Sequence, residues 1–181
     1  MTELEHGPEA FESVAKPSLP LLWRCARRLM RTGHEAEDLV QETCCKAFRA
    51  WHQLQPGTDA RAWLVTILLN TARDWARKTL RQPETLGLDE LTVLYQQDTT
   101  EPARAATPEQ AAGQAEVGRL VRLALDDLSP EFRMTVLLAD VEEFTYREIA
   151  DIMGCPIGTV MSRLHRARHL LRTTLQAVLE D

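Results

Sequence analysis

The stretch from Phe144 to Arg172 reads FTYREIADIMGCPIGTVMSRLHRARHLLR and carries two amphipathic helical patterns with a short break between them. On both sides of Gly154-Cys155-Pro156, apolar residues recur every three or four positions, as in helices that bury one face. Gly154 suits the left-handed conformation that ends a helix, and Pro156 suits the first turn of the next one. The stretch therefore predicts a helix-turn-helix.

The second helix of this pair is predicted to present a basic face. From Thr159 to Arg172 there are four arginines, two histidines and no acid, in a chain of net charge −6. Such a local excess of positive charge favours contact with nucleic-acid phosphate. The alternative is an ordinary helical hairpin whose arginines only solvate its outer face. With the apolar residues turned inward, the polar positions that face a DNA groove are Thr159, Ser162, Arg163, Arg166 and His169.

Composition limits the other classes of protein. At 181 residues, with 44% hydrophobic and 27% charged residues, the chain has the composition of one medium or two small folded domains. No apolar run approaches the roughly 20 residues that span a bilayer. The start, MTELEHGPEAFE, is acidic and lacks the features of a signal peptide. We expect a cytoplasmic protein without membrane insertion.

The sequence offers no pattern for catalysis, a metal or a cofactor. Its four cysteines form no CxxC pair, and its five histidines are scattered. No Gly-rich phosphate loop or nucleophile elbow is present. Cys25 and Cys45 are interpreted as small hydrophobic residues on helices, and the adjacent Cys44-Cys45 pair leaves a redox role open. We predict that the chain is not an enzyme.

Upstream of the opening stretch, helical periodicity continues. It predicts helices over residues 19–30, about 35–51, and from a cap at Asp59 to about residue 80, after a polar lead-in. Phe48 is placed on the inward face of the second helix. The far end of the third helix carries Arg73, Arg77 and Lys78, which form a second basic patch.

A change of composition divides the chain. Residues 83–115 hold six acids and one base, together with Pro102 and Pro108, which indicates a flexible acidic linker. It separates a domain at 1–82 from a domain at 116–181. The domain at 116–181 is predicted to contain helices over 116–128 and 130–141, followed by the helix-turn-helix. The helix at 130–141 is predicted to expose Arg133 and to bury Phe132. The predicted fold is all-α, with two small helical domains, the C-terminal one having four helices.

Four segments in this order resemble a known family. AEDLVQETCCKAF (36–48), RAWLVTILLNTARDWARK (61–78), LSPEFRMTVLLADVEEFTYREIADI (128–152) and GCPIGTVMSRLHRARHLLR (154–172) are similar to the extracytoplasmic-function (ECF) group of bacterial sigma-70-type sigma factors. They cover about half of the chain. The resemblance implies a subunit that binds core RNA polymerase and directs initiation at promoters, with the domain at 1–82 as region 2 and that at 116–181 as region 4.

The same resemblance implies a docking helix and two DNA readers. Duplex minus-35 DNA would be read by one set of residues, melted minus-10 DNA by another, and a third would contact the polymerase. The minus-35 residues are Thr159, Ser162, Arg163, Arg166 and Arg168. The minus-10 residues are Asn70, Arg73, Arg77, Lys78 and Arg61, next to the loop from His52 to Asp59. The docking residues are Glu37, Asp38, Leu39, Gln41 and Glu42, whose acidic character suits a basic partner surface.

One position departs from the pattern of the family. Met161 stands where these proteins often have lysine or arginine, and methionine cannot donate a hydrogen bond to guanine, so an apolar contact to a thymine methyl would replace a polar one. The sequence around Met161 also resembles the subgroup that responds to thiol-oxidative stress through zinc-containing anti-sigma factors.

Control in trans is expected because the chain is short. The acidic linker and the basic faces attract each other, so the free protein is expected to occlude its own DNA surfaces or to be held by an anti-sigma factor. A stand-alone helix-turn-helix regulator that binds duplex DNA without polymerase is the alternative, but it leaves the segments at 36–48 and 61–78 without a role.

Overall fold

A computed structural model describes residues 7–55, 57–80, 121, 124–125 and 128–179, and the regular structure in these ranges is helical. The first domain contains three long helices, and a 3₁₀ turn at Trp51–Gln53 follows the second. Between residues 128 and 179 the second domain has three helices, and a π turn at Leu137–Val141 follows the first of them. The helices are α1 (Pro8–Leu29), α2 (Gly33–Ala50), α3 (Ala60–Leu80), α4 (Pro130–Val136), α5 (Tyr146–Met153) and α6 (Ile157–Leu179).

The prediction of an all-α protein with two helical domains is confirmed. The linker predicted at 83–115 lies outside the described residues, as does most of the helix predicted at 116–128, of which residues 121, 124 and 125 are helical. Within the described part of the chain, no helix is long and apolar enough to cross a membrane.

Helix α1 is longer than the sequence predicted. The polar lead-in is wrong, because the helix begins at Pro8, with a proline in the first turn where its missing N–H costs nothing. Two further prolines, Pro17 and Pro20, lie inside it. The early turns are held by packing, since the Phe11 ring meets Phe48 at 5.3 Å between centroids. Tertiary contact thus overrides the helix-breaking tendency of proline.

Helix α2 begins with a capping box. The Thr32 hydroxyl accepts from the Glu35 backbone N–H at 3.1 Å, and the Glu35 carboxylate accepts from the Thr32 N–H at 3.0 Å. Phe48 was predicted to point inward, but it is 48% exposed, because it lies at the edge of the core against Phe11. Leu39 and Ala47 supply the buried face.

The turn of the helix-turn-helix has the predicted chemistry. Thr145 followed three residues later by Glu148 is the sequence pattern of a capping box, and the two residues form that box at the start of α5. Gly154 ends α5 in the left-handed conformation, with φ of 65°. Pro156 precedes α6 by one residue, and its carbonyl accepts from the Thr159 N–H at 2.8 Å. The two helices are therefore held at a fixed angle by Ile149, Ile152, Val160, Leu164 and Ala167, which are all buried.

Arg133 is buried, which corrects its predicted exposure. Its side chain is 1% exposed, whereas Phe132, predicted to be buried, is only partly so. The guanidinium donates to the carbonyls of Leu125 and Leu128, each at 2.9 Å. These carbonyls end the preceding helical segment and need donors, which a planar fork of N–H groups provides. Arg133 therefore ties that segment to α4.

The two domains lie against each other. Helix α1 contacts α4, and α3 contacts α5. The buried apolar side chains of both domains form one continuous cluster, from Leu22 and Leu68 in the first to Met134 and Ile149 in the second. Burying each such side chain contributes about 1.5–3 kcal/mol, so this packing holds the closed arrangement together with the polar contacts described below.

We predict that Arg133→Lys destabilises the protein by about 1–3 kcal/mol, because a single ammonium cannot replace the fork that satisfies both carbonyls. Thermal and urea unfolding followed by circular dichroism would measure this change. Arg147→Lys is the matched control, since Arg147 is exposed in the same domain. Equal stability of the two variants would contradict the role given to Arg133.

Candidate nucleic-acid interface

The outer face of α6 presents the central residues of the predicted minus-35 reader. Ser162 and Arg166 are exposed, and Thr159 is half-buried at the first turn. The Ser162 hydroxyl donates to the Thr159 carbonyl at 3.0 Å, within the helix. Met161 is 54% exposed beside them. An apolar side chain thus stands on a basic, solvent-facing helix, where a groove of duplex DNA could be read.

Arg163 has a different environment from the other predicted readers. Its side chain is 15% exposed, and its Nη2 lies 3.2 Å from the Glu131 carboxylate on α4. Nη1 also lies 3.7 Å from the Cys155 sulfur. Arg163 therefore joins α6 to α4 and to the turn, so its guanidinium already has partners inside the domain.

Arg168 is exposed and paired. Its Nη2 lies 2.5 Å from Oδ1 of Asp140, and its Nε donates to Oδ2 at 3.2 Å. The hydrogen bonds to Asp140 and then to Tyr146 raise the pKa of Arg168 above its ordinary value. A DNA phosphate would have to compete with this carboxylate for the guanidinium.

A shallow hollow of about 330 Å³ opens on the same face of the second domain. Its floor is apolar and its rim is basic, which suits the edge of a base pair flanked by phosphates. It is lined by Tyr146, Met161, Leu164, His165, Arg168, His169 and Arg172.

In the first domain, Asn70 and Arg73 lie together on α3. Asn70 is exposed, and its Oδ1 accepts from Nη1 of Arg73 at 2.8 Å. The other terminal nitrogen of Arg73 donates to the carbonyl of Met153, at the end of α5, at 3.0 Å. Two residues predicted to hold minus-10 DNA are therefore next to each other, and one of them contacts the second domain.

The remaining basic residues of this patch are spread along α3. Arg77 lies 3.5 Å from Asp74, and Lys78 is exposed. Arg61 lies at the opposite end of the helix, where its guanidinium carbon is 5.1 Å from the Phe144 ring centroid. The structure thus places Arg77 and Lys78 at one end of α3 and Arg61 at the other.

The predicted docking residues divide into a surface and a core set. Glu37, Asp38 and Gln41 are exposed on α2, so they are available to a partner. Leu39 is fully buried, so it anchors the helix beneath that surface. Glu42 is half-buried and accepts from the Trp75 indole N–H at 2.7 Å.

Glu42 also lies 3.0 Å from Lys46. Burial by itself would raise the pKa of Glu42, but the hydrogen bonds from Lys46 and Trp75 outweigh it and hold the pKa below its ordinary value. Glu42 is therefore an ionised link between α2 and α3.

Sequence reasoning missed Arg24 and Glu142. The Glu142 side chain is 3% exposed, and both of its oxygens accept from Arg24, a residue of α1. Arg61 also approaches this carboxylate, at 3.6 Å. Residues 24 and 142 are 118 positions apart, and no local pattern links them. Two adjacent acids in a loop gave no signal that one of them is buried.

The cysteines differ in accessibility. Cys25 is fully buried in α1, and burial raises the pKa of its thiol to about 12, so it is inert at neutral pH. Burial also raises the pKa of Cys44. Cys45 lies on α2, a helix as predicted, and is exposed.

Two family models match the two domains in order. Residues 15–82 match sigma-70 region 2, and residues 118–171 match sigma-70 region 4. The first match covers the helices that carry the predicted docking residues and Asn70. The second covers the helix-turn-helix.

Individual relatives agree with this assignment. The chain is 36% identical over 166 residues to the ECF RNA polymerase sigma factor SigE of Mycolicibacterium smegmatis, covering 92% of this chain and 62% of the relative. It is 29% identical over 145 residues to the ECF RNA polymerase sigma-E factor of Salmonella typhimurium, covering 80% of this chain and 76% of that protein. The chain thus spans less than two thirds of the length of the first of these relatives.

Two solved structures share the fold. The sigma factor RpoE of Bartonella quintana, in complex with the anti-sigma factor NepR, has a TM-score of 0.72 and 30% identity, covering 93% of this chain and 98% of that one. CnrH, in complex with the cytosolic domain of CnrY, has a TM-score of 0.64 at 24% identity, covering 94% and 90%, and shows a likeness of fold alone.

Region 2 and region 4 in one helical chain define a sigma-70-type protein. The chain belongs to the ECF group of that sigma factor family.

We predict that Arg163→Ala lowers the free energy of unfolding by about 1–3 kcal/mol, because it leaves the largely buried Glu131 carboxylate without its cationic partner. Arg166→Ala removes the same charge from an exposed site on the same helix and is expected to change stability by less than about 0.5 kcal/mol. Urea unfolding of both variants measures the difference. Equal losses would contradict the structural role of Arg163.

Proposed function

We propose that the chain is an RNA polymerase sigma factor that binds core enzyme and directs promoter-specific initiation. The first domain reads the melted minus-10 element, and the second reads the duplex minus-35 element. Its role is binding and positioning rather than catalysis, and its place of action is the cytoplasm, where the chromosome is transcribed. The domain bounds proposed for these roles are 1–82 and 116–181, joined by the segment 83–115.

The observation that carries the proposal is the pairing of two different surfaces in one chain. Helix α6 offers an exposed basic face on a helix-turn-helix, which suits duplex DNA. Helix α3 offers Asn70 beside Arg73, and an amide with a neighbouring guanidinium suits a base edge and its phosphate. A single reader of duplex DNA needs only the first surface.

Docking to polymerase is assigned to the exposed acids of α2. Glu37 and Asp38 are solvent-facing in the second turn of the helix, and Gln41 is exposed one turn later. Since α2 begins at Gly33, the acid in its first turn, where the helix dipole favours negative charge, is Glu35. An acidic row of this kind complements a basic partner surface and would repel DNA phosphate.

For the minus-35 element, the structure favours a division of roles among the predicted residues. Thr159, Ser162 and Arg166 lie free to approach base edges, together with Met161. Arg163 and Arg168 have acidic partners in Glu131 and Asp140. These two are therefore proposed to position α6 and to contact phosphate when the carboxylates allow it.

Control by an anti-sigma factor is part of the proposal. It is supported by the solved structure of RpoE of Bartonella quintana, which contains the anti-sigma factor NepR. Membership of the subgroup linked to thiol-oxidative stress stays a prediction from the sequence around Met161. Measuring the transcript levels of this sigma factor's targets after diamide treatment would test it.

Transcription with purified core RNA polymerase tests the function. The full chain is expected to yield transcripts from a restricted set of promoters in a genomic library, whereas core alone yields none that are specific. Asp38→Arg is expected to weaken competition for core at least tenfold, since it reverses a charge on the docking face. Glu9→Arg, the reversal of an exposed acid on α1, is the control.

Tight binding of the chain alone to duplex operators, without promoter-dependent RNA, would instead favour the stand-alone regulator. If Asp38→Arg and Glu9→Arg compete for core as well as the unmodified chain, the docking assignment fails.

We predict that Arg166→Ala weakens use of the minus-35 element by about 1–3 kcal/mol if the side chain contacts a base. Holoenzyme affinity for a set of promoters with single changes in that element would locate the contact, because only one base pair should lose its preference. A uniform loss across all promoters would assign Arg166 to phosphate. No loss on any promoter would remove it from the reader.

A further inference from the structure

Two arginines of the first domain converge on one carboxylate of the second. Arg24 of α1 donates Nε and Nη2 to the two oxygens of Glu142, at 2.5 and 2.9 Å. Arg61, at the start of α3, places Nη2 3.6 Å from Oε2 and 3.5 Å from the Glu142 carbonyl. The three groups belong to three elements and meet at one point. This is the geometry of an anion site whose occupant is supplied by the same chain.

The chemistry of the site is not specific for a carboxylate. A guanidinium that donates two parallel N–H bonds fits carboxylate and phosphate oxygens equally well. Two positive charges face the single negative charge of Glu142. Both arginine side chains are about half exposed, at 46% and 49%, although their common partner is almost fully buried. If the second domain moved away, both guanidiniums would face solvent on the first domain.

The backbone near Glu142 holds the carboxylate in place. Glu142 follows the π turn, and its N–H donates to the Leu137 carbonyl at 3.0 Å. Glu143 has φ of 60°, a left-handed conformation that costs a non-glycine residue about 1–2 kcal/mol. Such strain persists only where surrounding contacts maintain it. Phe144, packed under Arg61, and the π turn provide those contacts.

We propose that Arg24 and Arg61 form a phosphate-binding site for promoter DNA, and that Glu142 fills this site in the free chain. The inference rests on the proposed function, since it takes the first domain to be the minus-10 reader. It adds Arg24 to that reader and gives Glu142 the role of an internal competitor. DNA phosphate and the Glu142 carboxylate bind the same two guanidiniums, so only one of them is bound at a time.

The same exchange links DNA binding to the arrangement of the domains. Arg73 donates to Met153 of the second domain, so it too is released when the domains part. Loss of the Glu142 charge is therefore expected to favour an open form in which Arg24, Arg61 and Arg73 are released from the second domain. Loss of Arg24 is expected to open the chain as well, but to weaken DNA binding, because Arg24 serves both states. Removing the Glu142 charge should therefore raise DNA affinity, and removing Arg24 should lower it. A contact that is only structural would not give these opposite changes.

Salt dependence of DNA binding tests the site directly. Holoenzyme made with Arg24→Ala is expected to bind a fluorescent promoter fork about tenfold more weakly, and the slope of log affinity against log salt should fall by about 1. Lys16→Gln removes the same charge from an exposed position on α1 and is the control. Equal slopes for the two variants would overturn the phosphate assignment.

The affinity of the full chain for the same promoter fork, measured without core polymerase, tests the role of Glu142 as an internal competitor. Glu142→Gln is expected to bind several-fold more tightly than the unmodified chain and to show a larger radius of gyration in solution scattering. Unchanged affinity and unchanged dimensions would overturn the role of Glu142. Circular dichroism of each variant checks that its helicity is retained.

A charge exchange separates the two roles of Arg24. The double variant Arg24→Glu with Glu142→Arg is expected to restore the compact dimensions in part, since the ion pair is re-formed in the opposite sense while Arg61 repels the new guanidinium, but not DNA affinity. Recovery of both would overturn the phosphate site. If the proposed function is wrong, the unmodified holoenzyme gives no promoter-specific transcripts. If only the phosphate site is wrong, transcription is intact, and Arg24→Ala and Lys16→Gln show the same DNA affinity and the same salt dependence.

Discussion

The closed arrangement of this protein depends on how a buried carboxylate is neutralised. Glu142 lies at the junction of the domains with 3% of its side chain exposed, and an ionised carboxylate in that position costs several kcal/mol unless it is paired. Arg24 and Arg61 meet that requirement from two helices of the first domain. The Arg24–Glu142 ion pair also fixes the angle between the domains, because hydrogen bonds from Arg24 to both carboxylate oxygens allow little rotation of one domain against the other. Apolar packing brings the domains together, and the Arg24–Glu142 contact specifies their relative orientation.

This relative orientation of the domains has a consequence for the proposed reading of promoters. In the closed form, Arg61 and Arg73 donate to backbone or side-chain oxygens of the second domain, although both are assigned to DNA. Asn70, next to Arg73, remains exposed. A protein that reads two separated promoter elements must allow its domains to part. Contacts made of charged and polar groups suit that need, since water and phosphate can replace them at modest cost.

Within the second domain, the polar contacts serve rigidity rather than exchange. Arg133 is buried and satisfies two carbonyls, and Arg163 joins α6 to Glu131 of α4. The capping box of α5 works in the same way, and the hydrogen bonds from Thr145 hold the pKa of Glu148 below its ordinary value. A helix proposed to meet a DNA groove at a set angle needs such support beneath it. The exposed residues, Ser162 and Arg166, then differ from the buried ones in proposed function as well as in position.

The sequence by itself determined the turn between α5 and α6 and most of the described helices, because periodicity, capping and glycine chemistry act over a few residues. The Thr145 capping box, the left-handed Gly154 and the cap at Asp59 were all predictable for that reason. The first turns of α1, which depend on packing against α2, were not among them. The resemblance to ECF sigma factors added the candidate surfaces, residue by residue.

Only the tertiary structure decided which charged residues are buried and which charges meet. Arg133 was expected on the surface but is buried, where it donates to the carbonyls of Leu125 and Leu128, whereas Phe132, expected in the core, is partly buried against it. Arg24 and Glu142 are brought together across 118 positions by the packing of α1 on α4. Local patterns cannot encode such a pairing, since it depends on how two independently formed domains are placed against each other.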